Sequence, residues 1–187
     1  TVIECATFVT GPYASMLLGN LGARIIKIES PPQGDPYRYF APDPQYSFNF
    51  AHLNRNKKSL TLDLKAEQGK QICRSLLRTA DVFIENFRPG TMEAWGLGYD
   101  ALAKVNPGLI MIRISGYGQD GPYKTRAGHD LNYIALAGVL AMGGEKGGKP
   151  VMPGTQIADL AGGALWGATA VLGALVGREK TGGRHLD

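Results

Sequence analysis

Cysteine and histidine are scarce in this 187-residue sequence, with Cys5 and Cys73 and three histidines. Two cysteines cannot build a disulfide framework, and they match no metal-ligand spacing, so a reducing cytoplasm is the default compartment. Charge of one sign is also scarce: 20 basic against 16 acidic residues leave a net charge of +4. So small an excess suits an anionic small ligand as well as any polymer. The basic residues form no extended stripe and carry no interleaved aromatic platform, which argues against nucleic acid. Internal repeats are lacking. Apolar residues, 44% of the chain, are spread along its whole length, which argues against disorder and for one globular domain.

One charge-free stretch raises the question of a membrane span: residues 160–177, LAGGALWGATAVLGALVG, where Gly163 and Gly167 form a G-x-x-x-G. Glycine and alanine dominate it, and Asp159 and Arg178 bound it tightly, so a helix packed inside protein is favoured over a membrane span. The opening residues, TVIECATF, show no signal peptide and read as already inside a strand. The closing GGRHLD reads as another strand beginning. The expectation is a fragment of a longer protein.

What is present alternates. TVIECATF reads as a buried strand and TGPYASMLLGNLGA as a helix with Pro12 in its first turn. RIIKIES is a second strand, followed by a proline-rich aromatic loop through residue 48. SLTLDLK alternates as a half-buried strand, and AEQGKQICRSLLRTA as an amphipathic helix with Ile72, Leu76 and Leu77 on one face. DVFIENF is a strand, TMEAWGLGYDALAKV mostly helical and LIMIRIS another strand. Strand alternating with helix predicts an α/β fold, a Rossmann-like parallel sheet with helices on both faces. Two apolar helices then follow, over 130–142 and about 156–177, joined by a glycine-rich loop.

In such sheets ligands bind beyond the carboxyl ends of the strands. Thr10 and Gly11 open a helix after the first strand, where free backbone N–H groups can hold a phosphate or a carbonyl oxygen. Glu29 ends the second strand, as a ribose-binding acid or as an exposed charge. Arg55, Lys57 and Lys58 share the short loop NRNKKS, solvated or phosphate-binding, ahead of Asp63 and Lys65 at a strand end. Arg88, beside Phe87, can stack on an adenine or pair with a phosphate. His129 and Asp159 stand at the starts of the two apolar helices. One is open to a core or a capping role and the other to a cap; together, facing one cleft, they would make a base and an acid.

The blocks GPYASMLLGNLGARIIKIE, LNRNKKSLTLDLK, ADVFIENFRPG, ISGYGQDGP and GHDLNYIALAGVL, in this order, resemble the class III CoA-transferase (CaiB/BaiF) family. The resemblance covers nearly the whole chain. It implies a CoA-binding domain, an interlocked homodimer, and a chain lacking the second domain and C-terminal part of full-length members. It implies CoA contacts at Val9 and Thr10, at Leu62, Asp63, Leu64 and Lys65, and at Asn86, Phe87 and Arg88. Two arginines expected of the family are replaced, by Ser30 after Glu29 and by Ala94, so either the phosphate grip is weaker or Arg38, Arg55 and the lysines compensate. Asp159 matches the family's catalytic aspartate.

In the α-methylacyl-CoA racemase branch that aspartate works with the histidine of a GHD-x-NY block, intact here as Gly128, His129, Asp130, Leu131, Asn132 and Tyr133. His129 then resembles a proton carrier and the rest of the block an acyl-CoA contact. The resemblance implies an acyl-CoA thioester as substrate, with no cofactor beyond coenzyme A and no metal. Three functions stay open: racemisation of 2-methylacyl-CoA thioesters, CoA transfer between carboxylic acids through an aspartyl anhydride, and an inactive CoA-binding fragment.

Overall fold

The computed structural model describes residues 1–40, 46–181 and 185–186. The apolar runs become strands β1 (Val2–Cys5), β2 (Ile25–Glu29), β3 (Lys57–Thr61), β4 (Val82–Glu85), β5 (Ile110–Arg113) and the short β6 (His185–Leu186). All pairings are parallel, in the order β3-β2-β1-β4-β5-β6. Because side chains alternate along a strand, each central strand feeds two cores. Val2, Val82, Ile84, Ile110 and Ile112 pack with Leu18 of α1 (Thr10–Asn20) and with Ala168, Val171 and Ala174 of α7 (Trp166–Thr181). Ile3, Phe83 and Met111 point the other way, onto Cys73 and Leu77 of α3 (Glu67–Leu77). With them pack Met92 of the single-turn helix α4 (Thr91–Ala94) and Leu102 of the single-turn helix α5 (Tyr99–Leu102). This is the expected doubly wound sheet. Its strand order reverses between β1 and β4, so a crevice opens at their carboxyl ends.

Several local expectations are corrected. The aromatic loop contains a 3₁₀ turn (Pro36–Tyr39) and a helix, α2 (Phe48–Asn54), capped by the Ser47 hydroxyl, which accepts the Phe50 N–H at 3.1 Å. Lys57 and Lys58 begin β3 rather than filling a loop, and Leu62–Lys65 lie past its end. In α3 the buried stripe is Gly69, Cys73 and Leu77, while Ile72 is 48% exposed. The 91–105 segment splits into α4 and α5 around Gly96, whose φ of +68° ends the first turn. The first apolar helix is α6 (Asp130–Leu136), followed by a 3₁₀ turn (Val139–Met142) after Gly138 at φ +78°. The second begins as a π-helical stretch (Ile157–Leu165) and continues as α7.

That second helix, over Ile157–Arg178, is long and apolar enough to cross a membrane. Its glycine stripe is nevertheless an intramolecular contact. A Cβ on Gly163 would stand 2.3 Å from Thr10 Cγ2, and one on Gly167 3.2 Å from Ile112 Cδ1. The opposite side, with Trp166 at 69% and Val176 at 85% exposure, is uncovered in this chain.

Candidate active site

The turn after β1 is held from below by buried charge. Lys27 and Lys57 bind the Glu4 carboxylate at 2.7 and 2.8 Å, the Ser15 hydroxyl donates to it at 2.6 Å, and Lys27 also pairs with Asp35 at 2.9 Å. Burial opposes the Glu4 charge, but the two ammonium groups, Lys27 foremost, hold its carboxyl below the ordinary range. Burial and the neighbouring Lys27 charge bring Lys57 down to about 8, against the pull of Glu4. Lys57 is therefore a structural cation, neither solvated nor free for phosphate. Asp35 in turn accepts the N–H of Phe8 at 3.0 Å, fixing a non-glycine residue at φ +61°. Asn86 finishes the clamp: its amide accepts from Thr7 N–H at 2.9 Å and donates to Thr7 C=O at 2.8 Å, tying β4 to this turn.

Two cavities flank the clamp. The larger, of about 530 Å³, is walled by Val9 and Thr10, by Asn86, Phe87 and Arg88, and by Gly128, His129, Tyr133 and Asp159. The smaller, of about 340 Å³, is walled by Leu62, Asp63, Leu64 and Lys65 together with Glu29, Ser30 and Trp95. Thr7 and Phe87 belong to both walls. Lys65 and Arg88 stand in neighbouring cavities. The Asp63 carboxylate accepts the Lys65 N–H at 2.9 Å and shapes the turn beyond β3.

His129 and Asp159 are brought to the same cavity. Asp159 lies in the first turn of the π-helical stretch and accepts from the Thr10 hydroxyl at 3.2 Å and from the Gln156 amide at 3.3 Å. That Thr10 contact exists because Gly163 lets the helix approach. Burial, joined by the Asp130 charge, pushes the Asp159 carboxyl above its ordinary value, against the Thr10 hydrogen bond and the His129 ring. His129 is the residue before α6, is exposed, and sets its ring edge-on to Phe8 with centroids 6.5 Å apart.

The rest of the GHD-x-NY block divides. Tyr133 covers Gly116 and Gly128 and donates to the Gly128 carbonyl. Asn132 accepts the His129 N–H at 2.9 Å and Leu131 is 42% exposed; neither lines the cavity. Asp130 is buried, 8% exposed, and lies beneath the wall rather than on it.

Glu29 is not an exposed charge. It is 5% exposed, grips Arg38 at 2.8 and 2.7 Å, and accepts from Ser59 at 2.7 Å and from Asp35 N–H at 3.0 Å. Burial raises the Glu29 carboxyl, but these donors overcome it and hold it at about 2. Arg38 is engaged by Glu29 and Lys57 by Glu4. Arg55 donates to the His52 carbonyl at 3.0 Å. Phe8, Lys124 and Arg126, which no motif in the sequence marks, also wall the larger cavity. Lys124 and Arg126 sit in the YKTRAGHD stretch, and their nearness to His129 along the chain was an available signal.

The family model for CoA-transferase family III matches residues 1–187. The chain is 44% identical over 190 residues to the succinyl-CoA–L-malate CoA-transferase beta subunit of Chloroflexus aurantiacus, covering 100% of this chain and 47% of that protein. It is 40% identical over 188 residues to the human alpha-methylacyl-CoA racemase, covering 100% of this chain and 46% of that protein. Among solved structures, a CAIB/BAIF family protein from Brucella suis superposes with a TM-score of 0.93 at 38% identity, covering 100% of this chain and 50% of that one. The chain spans about half the length of the relatives it matches. With its sheet, its crevice and its sequence all in agreement, the chain belongs to the CoA-transferase family III.

Proposed function

We propose that this chain is the CoA-binding part of an acyl-CoA enzyme that moves the α-proton of a 2-methylacyl-CoA thioester between His129 and Asp159. The observation that carries this reading is the presence of both groups on the wall of one cavity. CoA lies along the carboxyl edge of the sheet, its adenosine end in the smaller cavity and its thioester in the larger, crossing at Thr7 and Phe87. A neutral imidazole takes the α-proton from one face of the carbon, and the C–H bonding pair moves into an enolate whose charge rests on the thioester oxygen. The protonated carboxyl of Asp159 returns a proton to the opposite face. The reverse epimer uses the complementary state, imidazolium with carboxylate. The Asp159 carboxyl is raised by burial and by Asp130, which favours its holding the proton that it returns. Arg88, Lys124 and Arg126 supply positive field for the enolate and for the phosphates.

The identity to a succinyl-CoA–L-malate CoA-transferase subunit favours a second reading. A carboxylate oxygen of Asp159 attacks the thioester carbonyl, the C–S bond breaks, and the CoA thiolate leaves a mixed anhydride. The thiolate then attacks the aspartyl carbonyl, releasing the first acid and forming an aspartyl-CoA thioester that an acceptor carboxylate resolves. Here Asp159 is essential and His129 has no covalent part.

Incubating the full-length protein with a chiral 2-methylacyl-CoA in deuterated water, with and without succinate or formate, separates the two. Deuterium at the α-carbon without added acid, lost in His129→Ala, is the expected result. CoA exchange that requires the acid, survives His129→Ala and dies in Asp159→Asn would establish the transferase instead.

A further inference from the structure

Asp130 is adjacent in sequence to His129 yet does not touch the cavity. Its side chain is buried in the first turn of α6, and its Oδ1 accepts the backbone N–H of Asp159 at 2.8 Å. In a π-helix the N–H of residue i bonds to the carbonyl of residue i−5, so Asp159, third in its stretch, has no intrahelical acceptor. Asp130 therefore satisfies a donor that the helix itself leaves open. Its negative charge lies at the positive ends of two helices at once, which favours the contact electrostatically. One rigid residue thus links the backbone that carries the imidazole to the backbone that carries the carboxylate.

We propose that Asp130 is a positioning residue: its carboxylate fixes the Asp159 backbone relative to His129 and places a like charge beside the Asp159 carboxyl. This rests on the functional reading above only in needing Asp159 to act, whether as proton carrier or as nucleophile. The titratable groups facing Asp159 are His129, Asp130 and Tyr133 from the α6 segment and Tyr37 from the 3₁₀ turn. The cations Arg88, Lys124 and Arg126 share its cavity, and Thr10 and Gln156 are its neutral hydrogen-bond donors. Of these, Asp130 alone combines a fixed negative charge with a grip on the Asp159 backbone.

The test compares full-length wild type, Asp130→Ala, Asp130→Asn and Asp159→Asn by kcat and KM against pH, scoring both α-deuterium exchange and acid-dependent CoA exchange. CoA affinity by calorimetry serves as the check on folding. Asp130→Ala removes the acceptor and should lower kcat on the order of 10²-fold, as displacement of a reacting group does, while KM changes little. Asp130→Asn keeps an oxygen acceptor but not the charge. It should retain most of kcat and move the acid limb of the profile to lower pH, because the Asp159 carboxyl loses the neighbour that raises it. If Asp130→Ala fails to bind CoA, the Asn variant decides alone.

An unmoved acid limb in Asp130→Asn, or wild-type kcat in a folded Asp130→Ala, would overturn the proposal. Turnover surviving in Asp159→Asn would instead overturn the functional reading itself, so the two failures are distinguishable.

Discussion

Glu29 shows how a site residue can be spoken for by its neighbours. A strand-end acid in this kind of sheet invites a ribose, but both of its oxygens already accept hydrogen bonds, two of them from the planar fork of Arg38. Arg38 is itself 3.8 Å from the Phe50 ring centroid, so the pair is held from a second side. The linkage sign is definite. A carboxyl held at about 2 when folded, below its ordinary value of 4.5, contributes stability that is complete above the unfolded value and is lost as pH falls through 2. Glu29→Gln in the full-length protein should therefore cost about 2 kcal/mol near neutrality, after discounting for the partly exposed arginine. As pH falls from 4.5 toward 2 the gap between the variant and the wild type should close. Urea unfolding across pH 2–7 measures the difference; a gap that does not close in acid would show that the ion pair is not its source.

At the scale of elements, the π-helical stretch and its glycines decide where Asp159 stands. Gly163 admits the Thr10 methyl where a side chain would collide, and the Thr10 hydroxyl then reaches the carboxylate. Gly163→Ala puts a methyl 2.3 Å from Thr10 Cγ2, at the end of a β-branched side chain in a tight helix start. It should destabilise by about 1–3 kcal/mol through overpacking. It should also lower turnover on the order of 10²-fold by shifting the carboxylate. Gly167→Ala meets the flexible ends of Ile112 and Ile114, at 3.2 and 3.3 Å, rather than a residue bonded to Asp159, so it should cost less stability and leave turnover within a few-fold. Thermal unfolding and kcat of the two variants check this; equal loss of activity in both would mean that Gly163 only packs.

The same elements show what the sequence could and could not disclose. Apolar runs such as LIMIRIS and DVFIENF are buried on both faces and announce themselves as central strands of a parallel sheet. The helix α2 gave no such signal, because Leu53 is its one fully buried residue. Lys57 read as part of a solvated charge run because its partner, Glu4, lies two strands away across the sheet. The π-helical register leaves no periodicity of its own in LAGGAL. His129 and Asp159 were legible as helix-start residues with a family pattern behind them. The role of the Asp130 side chain was not, since nothing in GHDLNY says which of two neighbouring polar residues turns inward.

Across the whole molecule, the sheet order forces the two cavities to lie on either side of the β1 turn, sharing only Thr7 and Phe87. A molecule as long as CoA has to thread that shared neck if it is to use both. Lys65 then meets it on the β3 side and Arg88 on the β4 side, as separate cations on separate walls. Both side chains are exposed, so on the proposed path of CoA Lys65→Ala and Arg88→Ala should each weaken its binding by about 1 kcal/mol, near fivefold in Kd. Because the two residues have no partner in common, the double variant should be additive within about 0.5 kcal/mol. Both effects should shrink at high salt. The neck is the more discriminating position. Phe87 rests edge-on against Trp95 at 5.5 Å, and its replacement by alanine would open both cavities at once. Calorimetry of the full-length variants with CoA and with dephospho-CoA measures these terms. Unchanged affinity in both single variants would move CoA off this edge of the sheet. Strong non-additivity would mean that a single phosphate bridges the two cavities instead of CoA extending through them.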